Sequence, residues 1–150
     1  MANAERRGGE CLFLYGSLLP SLAPAELREA LAGLRPLGRG SLRGVLYDLG
    51  EHPGAVPDAE AATWIAGEVF ELPRDPALLA RLDAYEAFTR EHPERSPFVR
   101  VRRRVALARG GELECWVYAW SRDPRGVPRV ASGDWLSHVR SKTGRSRDQV

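Results

Sequence analysis

An apolar strand that stops on a glycine is the feature that most limits what this chain can fold into. Cys11-Leu-Phe-Leu-Tyr15 carries an apolar residue at every position, which suits a strand buried on both faces. It runs straight into Gly16-Ser17, and Pro20 and Pro24 bar it from continuing. A buried strand that ends this way leaves backbone N–H groups without ladder partners. Two readings fit: an ordinary strand end followed by a turn, or a concave row of amides that holds an anion, most simply a carboxylate.

The elements that must pack around this strand follow from local pattern. Pro24 to Gly33 reads as a short helix with Leu27, Ala30, Leu31 and Leu34 on one stripe. Leu37 to Leu49 reads as a strand bent at Gly40 or Gly44, and Glu51 to Ala62 as a surface loop rich in Pro, Gly, Asp and Ala. Thr63 to Leu72 is a strand bounded by Pro73. Asp75-Pro76 then starts a helix that should run to about Ala87, with Leu78, Leu79, Leu82 and Tyr85 as its apolar face. Phe98 to Ala108 and Glu112 to Trp120 form a hairpin about Gly110-Gly111. Ser132-Gly-Asp-Trp135 opens a capped turn or short helix to Val139.

The order strand, helix, strand, strand, helix, hairpin lacks βαβ alternation. It favours an α+β domain: a small mixed or antiparallel β-barrel with flanking helices. Residues 11–139 form the single domain, with a flexible segment at 1–10 and a basic C-terminal tail at 140–150.

Composition removes several function classes. In 150 residues, 43% hydrophobic and 28% charged residues are globular values, so the body of the chain folds around a core. A net charge of +2 does not argue for nucleic acid. The arginine strand and Trp116, Trp120 and Trp135 would suit stacking on bases, but Glu91, Glu94, Glu112 and Glu114 are interleaved with them. No apolar stretch spans a bilayer and the N-terminus lacks an apolar signal core, so no membrane partner and a cytoplasmic location are expected. Cys11 and Cys115 lie in apolar runs and read as small core residues. His52, His92 and His138 have no ligand spacing and read as surface residues, so no metal is expected. Nothing in the sequence sets an oligomeric state.

Glu86 is the residue that breaks the pattern. It lies four residues after Leu82 and seven after Leu79, on the stripe of the leucines. A carboxyl group held against a core is raised in pKa by desolvation, and a glutamate tuned toward neutrality suits general acid–base chemistry. The plainer reading is that, at its helix end, Glu86 swings out to solvent or pairs with an arginine.

Tyr15-Gly16-Ser17-Leu18, Gly67 to Leu72, Leu82-Asp83-Ala84-Tyr85-Glu86, the arginine–valine strand from Phe98, Trp116-Val-Tyr118 and Ser132 to Trp135 occur in an order that resembles the gamma-glutamylcyclotransferase-like (AIG2-like) family. The resemblance covers residues 11 to 136. It implies a small β-barrel with a cavity between the Tyr-Gly-Ser-Leu segment and the glutamate. It also implies an enzyme that acts on a small gamma-glutamyl compound and releases 5-oxoproline and a free amine by internal cyclisation. On that reading Glu86 is the acid–base, the amides of Gly16, Ser17 and Leu18 hold the substrate α-carboxylate beside Tyr15, and no cofactor is needed. The alternative is a non-catalytic relative that binds a glutamate-like metabolite in the same pocket.

Two positions depart from the family's pattern. Many relatives have tyrosine where this chain has Phe98; Tyr118 on the neighbouring strand either supplies a hydroxyl to the substrate or, the commoner case, is a core tyrosine with its hydroxyl satisfied within the protein. Strict alternation also turns Arg103 toward the core with Val99, Val101 and Val105. Either a bulge re-registers the strand, the favoured reading, or Arg103 enters the cavity as an anion contact. Loops 50–62 and 121–131 are expected to border the leaving amine.

Overall fold

In the computed structural model of the chain, which describes residues 10–16, 19, 23–86 and 95–148, β1 (Cys11–Leu14) runs between two apolar clusters. Leu12 and Leu14 face the first, shared with α1 (Ala25–Leu31) and α2 (Ala77–Tyr85). Phe13, and Tyr15 just beyond the strand, face the second, which the sheet encloses. This accounts for an apolar residue at each position of the run: Leu12 to Leu14 are buried whichever face they take, and Cys11 at the strand's start is partly buried.

Five strands close into a barrel. β1 pairs antiparallel with β4 (Trp64–Glu71), β4 with β2 (Arg35–Asp48), β2 with β5 (Phe98–Leu107), and β5 with β6 (Glu112–Trp120). A parallel pairing of β6 with β1 closes the ring. An additional strand, β3 (Pro53–Pro57), lies antiparallel to the second half of β2 and meets β6 at Ala55↔Ala119. The α+β barrel with flanking helices is therefore present, and the Gly110-Gly111 turn joins β5 to β6 with both glycines at positive φ.

Several local expectations change. Glu51 to Ala62 is not all loop, because β3 lies inside it with Pro53, Gly54 and Ala55 buried. Prolines at both strand ends and small residues between them conceal the strand signal. The register of β2 slips between Pro36 and Gly38, and β2 exchanges β4 for β3 at Gly44. No bulge occurs near Arg103: the β5–β6 ladder keeps one register from Phe98↔Trp120 to Ala106↔Glu112. Arg103 does not line the candidate site either. It is exposed and donates to the Arg102 carbonyl at 2.7 Å. β5 pairs with β2 only at Gly40↔Leu107 and Ser41↔Ala106, so a long side chain farther up the strand can reach water around that edge.

The last helix, α3 (Trp135–Asp148), is longer than the expected turn. Its start is built as the sequence suggests, with the Ser137 N–H donating to the Asp134 carboxylate at 3.3 Å. Gly133 is needed there because a Cβ would lie 1.9 Å from the Trp64 carbonyl oxygen, at a φ of +70°. Asp48 on β2 fastens the helix to the barrel. It accepts from His138 Nε2 and the Gly50 N–H, each at 2.8 Å, and from Lys142. Burial raises its pKa, but these donors, Lys142 foremost, outweigh burial and hold it at about 2. His138 is thus half-buried and bonded, not the surface residue expected; His92 lies outside the described residues.

Tyr15 clasps three strands. Its hydroxyl donates to the Tyr118 carbonyl on β6 and accepts from the Ala55 N–H of β3 at 3.3 Å. Tyr15→Phe leaves a buried N–H and a buried carbonyl each one partner short, at a cost of about 1–3 kcal/mol. Urea denaturation should show the midpoint fall by that equivalent with an unchanged slope.

Candidate active site

The end of β1 opens onto a cavity of about 280 Å³, lined by Leu14, Tyr15, Gly16, His52, Pro53, Tyr85, Glu86, Phe98 and Tyr118 among others. Gly16 is where the wall turns. A Cβ on it would fall 2.2 Å from Pro53 Cγ, so only glycine lets the chain pass this close to β3. The turn is then held by the Leu19 N–H donating to the Gly16 carbonyl at 2.9 Å. Ser17 and Leu18, the other two residues of the expected anion cradle, lie outside the described residues.

Glu86 lines the same cavity from the end of α2. α2 buries Leu78 and Leu82, and Glu86 continues that line one turn later as the C-cap, with its N–H on the Leu82 carbonyl at 3.0 Å. Leu79 is half-buried and Tyr85 is 41% exposed, so the apolar face is narrower than the sequence suggests. Tyr85 instead supplies part of the cavity rim. Half-buried in this apolar wall, the Glu86 carboxyl is raised by desolvation from 4.5 to about 7. The Tyr15 hydroxyl is raised in pKa chiefly by burial and then by the Glu86 charge, and that of Tyr118 by burial, then by Asp83, and least by Glu86.

Tyr118 has its proton committed. Its hydroxyl donates to Asp83 Oδ1 at 2.7 Å, and Asp83 also takes both arms of Arg100, Nε at 2.9 Å and a terminal nitrogen at 3.2 Å. Both charged side chains of this pair are largely buried. The guanidinium also lies over the Trp116 ring, 4.2 Å from its centroid. Toward the cavity Tyr118 therefore offers oxygen lone pairs, an acceptor and not a donor. The Tyr15 hydroxyl is spent on backbone groups, so what Tyr15 gives the cavity is ring surface.

The network behind Tyr118 escapes a sequence reading. Arg100 sits in a run of arginines that looks solvated, and its link to Asp83 needs the register Arg100↔Tyr118 and the seat of α2 together. Arg100, not Arg103, is the arginine near the cavity. His52, expected at the surface, is exposed but stands on the cavity rim with its ring 5.9 Å from that of Phe98. Loop 50–62 borders the cavity through His52 and Pro53, whereas no residue of 121–131 lines it among the described residues. No cluster of three His, Cys, Asp or Glu that could hold a metal occurs among the described residues, and no helix there is long and apolar enough to cross a membrane.

Residues 12–137 match the family model described as gamma-glutamyl cyclotransferase, AIG2-like. A gamma-glutamylcyclotransferase family protein from Escherichia coli K12, YtfP, is 31% identical over 126 residues, covering 83% of this chain and 95% of that protein. Among solved structures, YkqA from Bacillus subtilis superposes with a TM-score of 0.66 at 23% identity over 90% of this chain. This chain spans only 43% of the length of that one. An AIG2-like protein from Mus musculus superposes with a TM-score of 0.62 at 20% identity, over 81% of this chain and 85% of that one.

The raised carboxyl has a stability consequence. An acid whose pKa is higher folded than unfolded stabilises the fold fully below about pH 4.5, and that contribution is lost as pH rises through about 7. The gap corresponds to about 3 kcal/mol. Glu86→Gln cannot ionise, so in urea titrations it should gain up to about 3 kcal/mol on the wild type near pH 8 and little near pH 4. An equal difference at both values would contradict the desolvated carboxyl. In the same assay Asp83→Ala, which leaves the buried Arg100 without its bidentate partner, should lose on the order of 3 kcal/mol.

Proposed function

The chain belongs to the gamma-glutamyl cyclotransferase, AIG2-like family, and from that premise we propose that it converts a small gamma-glutamyl compound into 5-oxoproline and a free amine. What supports the reading is a desolvated carboxyl at Glu86 that lines the same cavity of about 280 Å³ as Gly16. That volume is at the small end of ligand pockets and suits a glutamyl group.

The reaction needs little from the protein beyond position and proton transfer. The substrate brings its own nucleophile, and a five-membered ring closes when the α-amine is held against the γ-carbonyl. Amides at Gly16, Ser17 and Leu18 receive the α-carboxylate. Tyr118, an acceptor because its proton goes to Asp83, receives an N–H of the α-ammonium. Glu86 in its carboxylate form takes a proton from that ammonium, and the freed amine attacks the γ-carbonyl carbon. The protonated Glu86 then returns the proton to the departing nitrogen as the old C–N bond breaks. Glu86 thus carries one proton from the α-nitrogen to the departing nitrogen. The second proton of the ring nitrogen passes through solvent to the released amine, which leaves as an ammonium, and no water is consumed. A glutamate titrating at about 7 is poised for both halves of this exchange. Phe98, Pro97 and Phe13 line the cavity with apolar surface that strengthens these interactions.

A panel of gamma-glutamyl amino acids and amines, assayed for 5-oxoproline, tests this. Wild-type protein should give product with kcat/KM rising as pH increases through about 7, because the carboxylate form is the base. Glu86→Gln should lose about 10²–10⁴-fold. Tyr118→Phe should raise KM more than it lowers kcat. Binding of glutamate-like ligands by calorimetry with no turnover in any member of the panel would overturn the catalytic reading in favour of a binding protein.

A further inference from the structure

At the far ends of β1 and β6 from the candidate site, two thiols share one opening of the barrel. Cys11 and Cys115 are register partners in the parallel β1–β6 pairing, so they stand side by side with side chains on the same face of the sheet. Both belong to the enclosed cluster, Cys115 at 1% exposure and Cys11 only partly buried. Both line a second cavity of about 650 Å³, open to solvent, together with Leu37, Leu107 and Leu113. We propose that Cys11 and Cys115 form a dithiol–disulfide couple that reacts with low-molecular-weight disulfides entering this second cavity.

The geometry permits the bond. Neighbouring strands lie about 4.8 Å apart, inside the roughly 4.4–6.8 Å between Cα atoms that a disulfide spans. The two thiols also differ as an attacking and a resolving thiol must. The neighbouring Cys115 thiol lowers the pKa of Cys11, against the opposing effects of burial and of the charges on Glu71 and Glu10, while Cys115 Sγ also lies 3.7 Å from the Leu113 carbonyl oxygen, to which it donates. The proximity of Cys11 and then burial push Cys115 up, so the inner thiol keeps its proton while the outer one loses it more readily.

The Cys11 thiolate attacks one sulfur of a small disulfide, R–S–S–R, and expels R–S⁻, leaving Cys11 joined to the other R–S group. Cys115 then gives up its proton and attacks the Cys11 sulfur, expelling the second R–S⁻. The protein is oxidised by two electrons and the small disulfide is reduced to two thiols. A link here joins the strand that leads into Tyr15 and Gly16 to the strand that carries Tyr118.

Incubation of the folded protein with bis(2-hydroxyethyl) disulfide, followed by intact-mass and peptide mass spectrometry, tests the couple. The wild type should lose the mass of two hydrogens, yield a Cys11–Cys115 linked peptide, and revert fully with dithiothreitol. Cys115→Ala should instead trap one hydroxyethylthio group on Cys11, and Cys11→Ser should remain unmodified until denatured. Because the wild-type peptide map carries the test, a variant that folds poorly does not weaken it. No reaction, a lasting adduct without the internal link, or disulfides only between chains would each overturn the proposal.

Discussion

A strand buried on both faces is the constraint on which the rest of this structure depends. β1 divides the apolar interior into a helix-covered cluster and a barrel-enclosed one, with Leu12 and Leu14 on one side and Phe13 and Tyr15 on the other. It cannot slip in register by one residue without exchanging these sets, so its end is fixed in space. The Gly16 turn, next along the chain and packed against Pro53, is therefore placed as firmly as a core residue. Tyr15 adds the cross-ties to β6 and β3. The carboxylate cradle proposed here would gain from such a frame.

The electrostatics of the cavity are asymmetric. Asp83 carries its charge behind Tyr118, matched by the two arms of Arg100, and is neutralised before it reaches the cavity. Glu86 is left on the cavity side, where the groups around it are ring faces, prolines and leucine. Two carboxyl groups three residues apart on one helix end thus have opposite environments, one tied to an arginine and the other raised by desolvation.

Much of this was legible in the sequence. The run from Cys11 to Tyr15 announces its double burial by lacking any polar position, and the stripe of leucines leading to Glu86 places that carboxyl against the core. The Gly-Gly hairpin and the Ser-Gly-Asp-Trp helix start carry their own local chemistry. β3 was hidden because prolines and small residues carry no alternation. The Asp83–Arg100–Tyr118 network was hidden for a different reason: its partners come from one helix and two strands, and no local pattern encodes how a helix seats on a sheet. Arg103 misled because alternation describes a fully paired strand, and β5 is paired on one side only over much of its length.

In the proposed reaction Glu86 and the Gly16 turn hold opposite ends of one small ligand. A crystal structure of the protein bound to 5-oxoproline tests that most directly. The ligand carboxylate should lie against the backbone amides that come after Tyr15, with the ring nitrogen within hydrogen-bond reach of the Glu86 carboxyl and of Tyr118 Oη. A ligand seated away from this cavity, or one whose carboxylate points toward Glu86 with the amides in contact only with solvent, would contradict it.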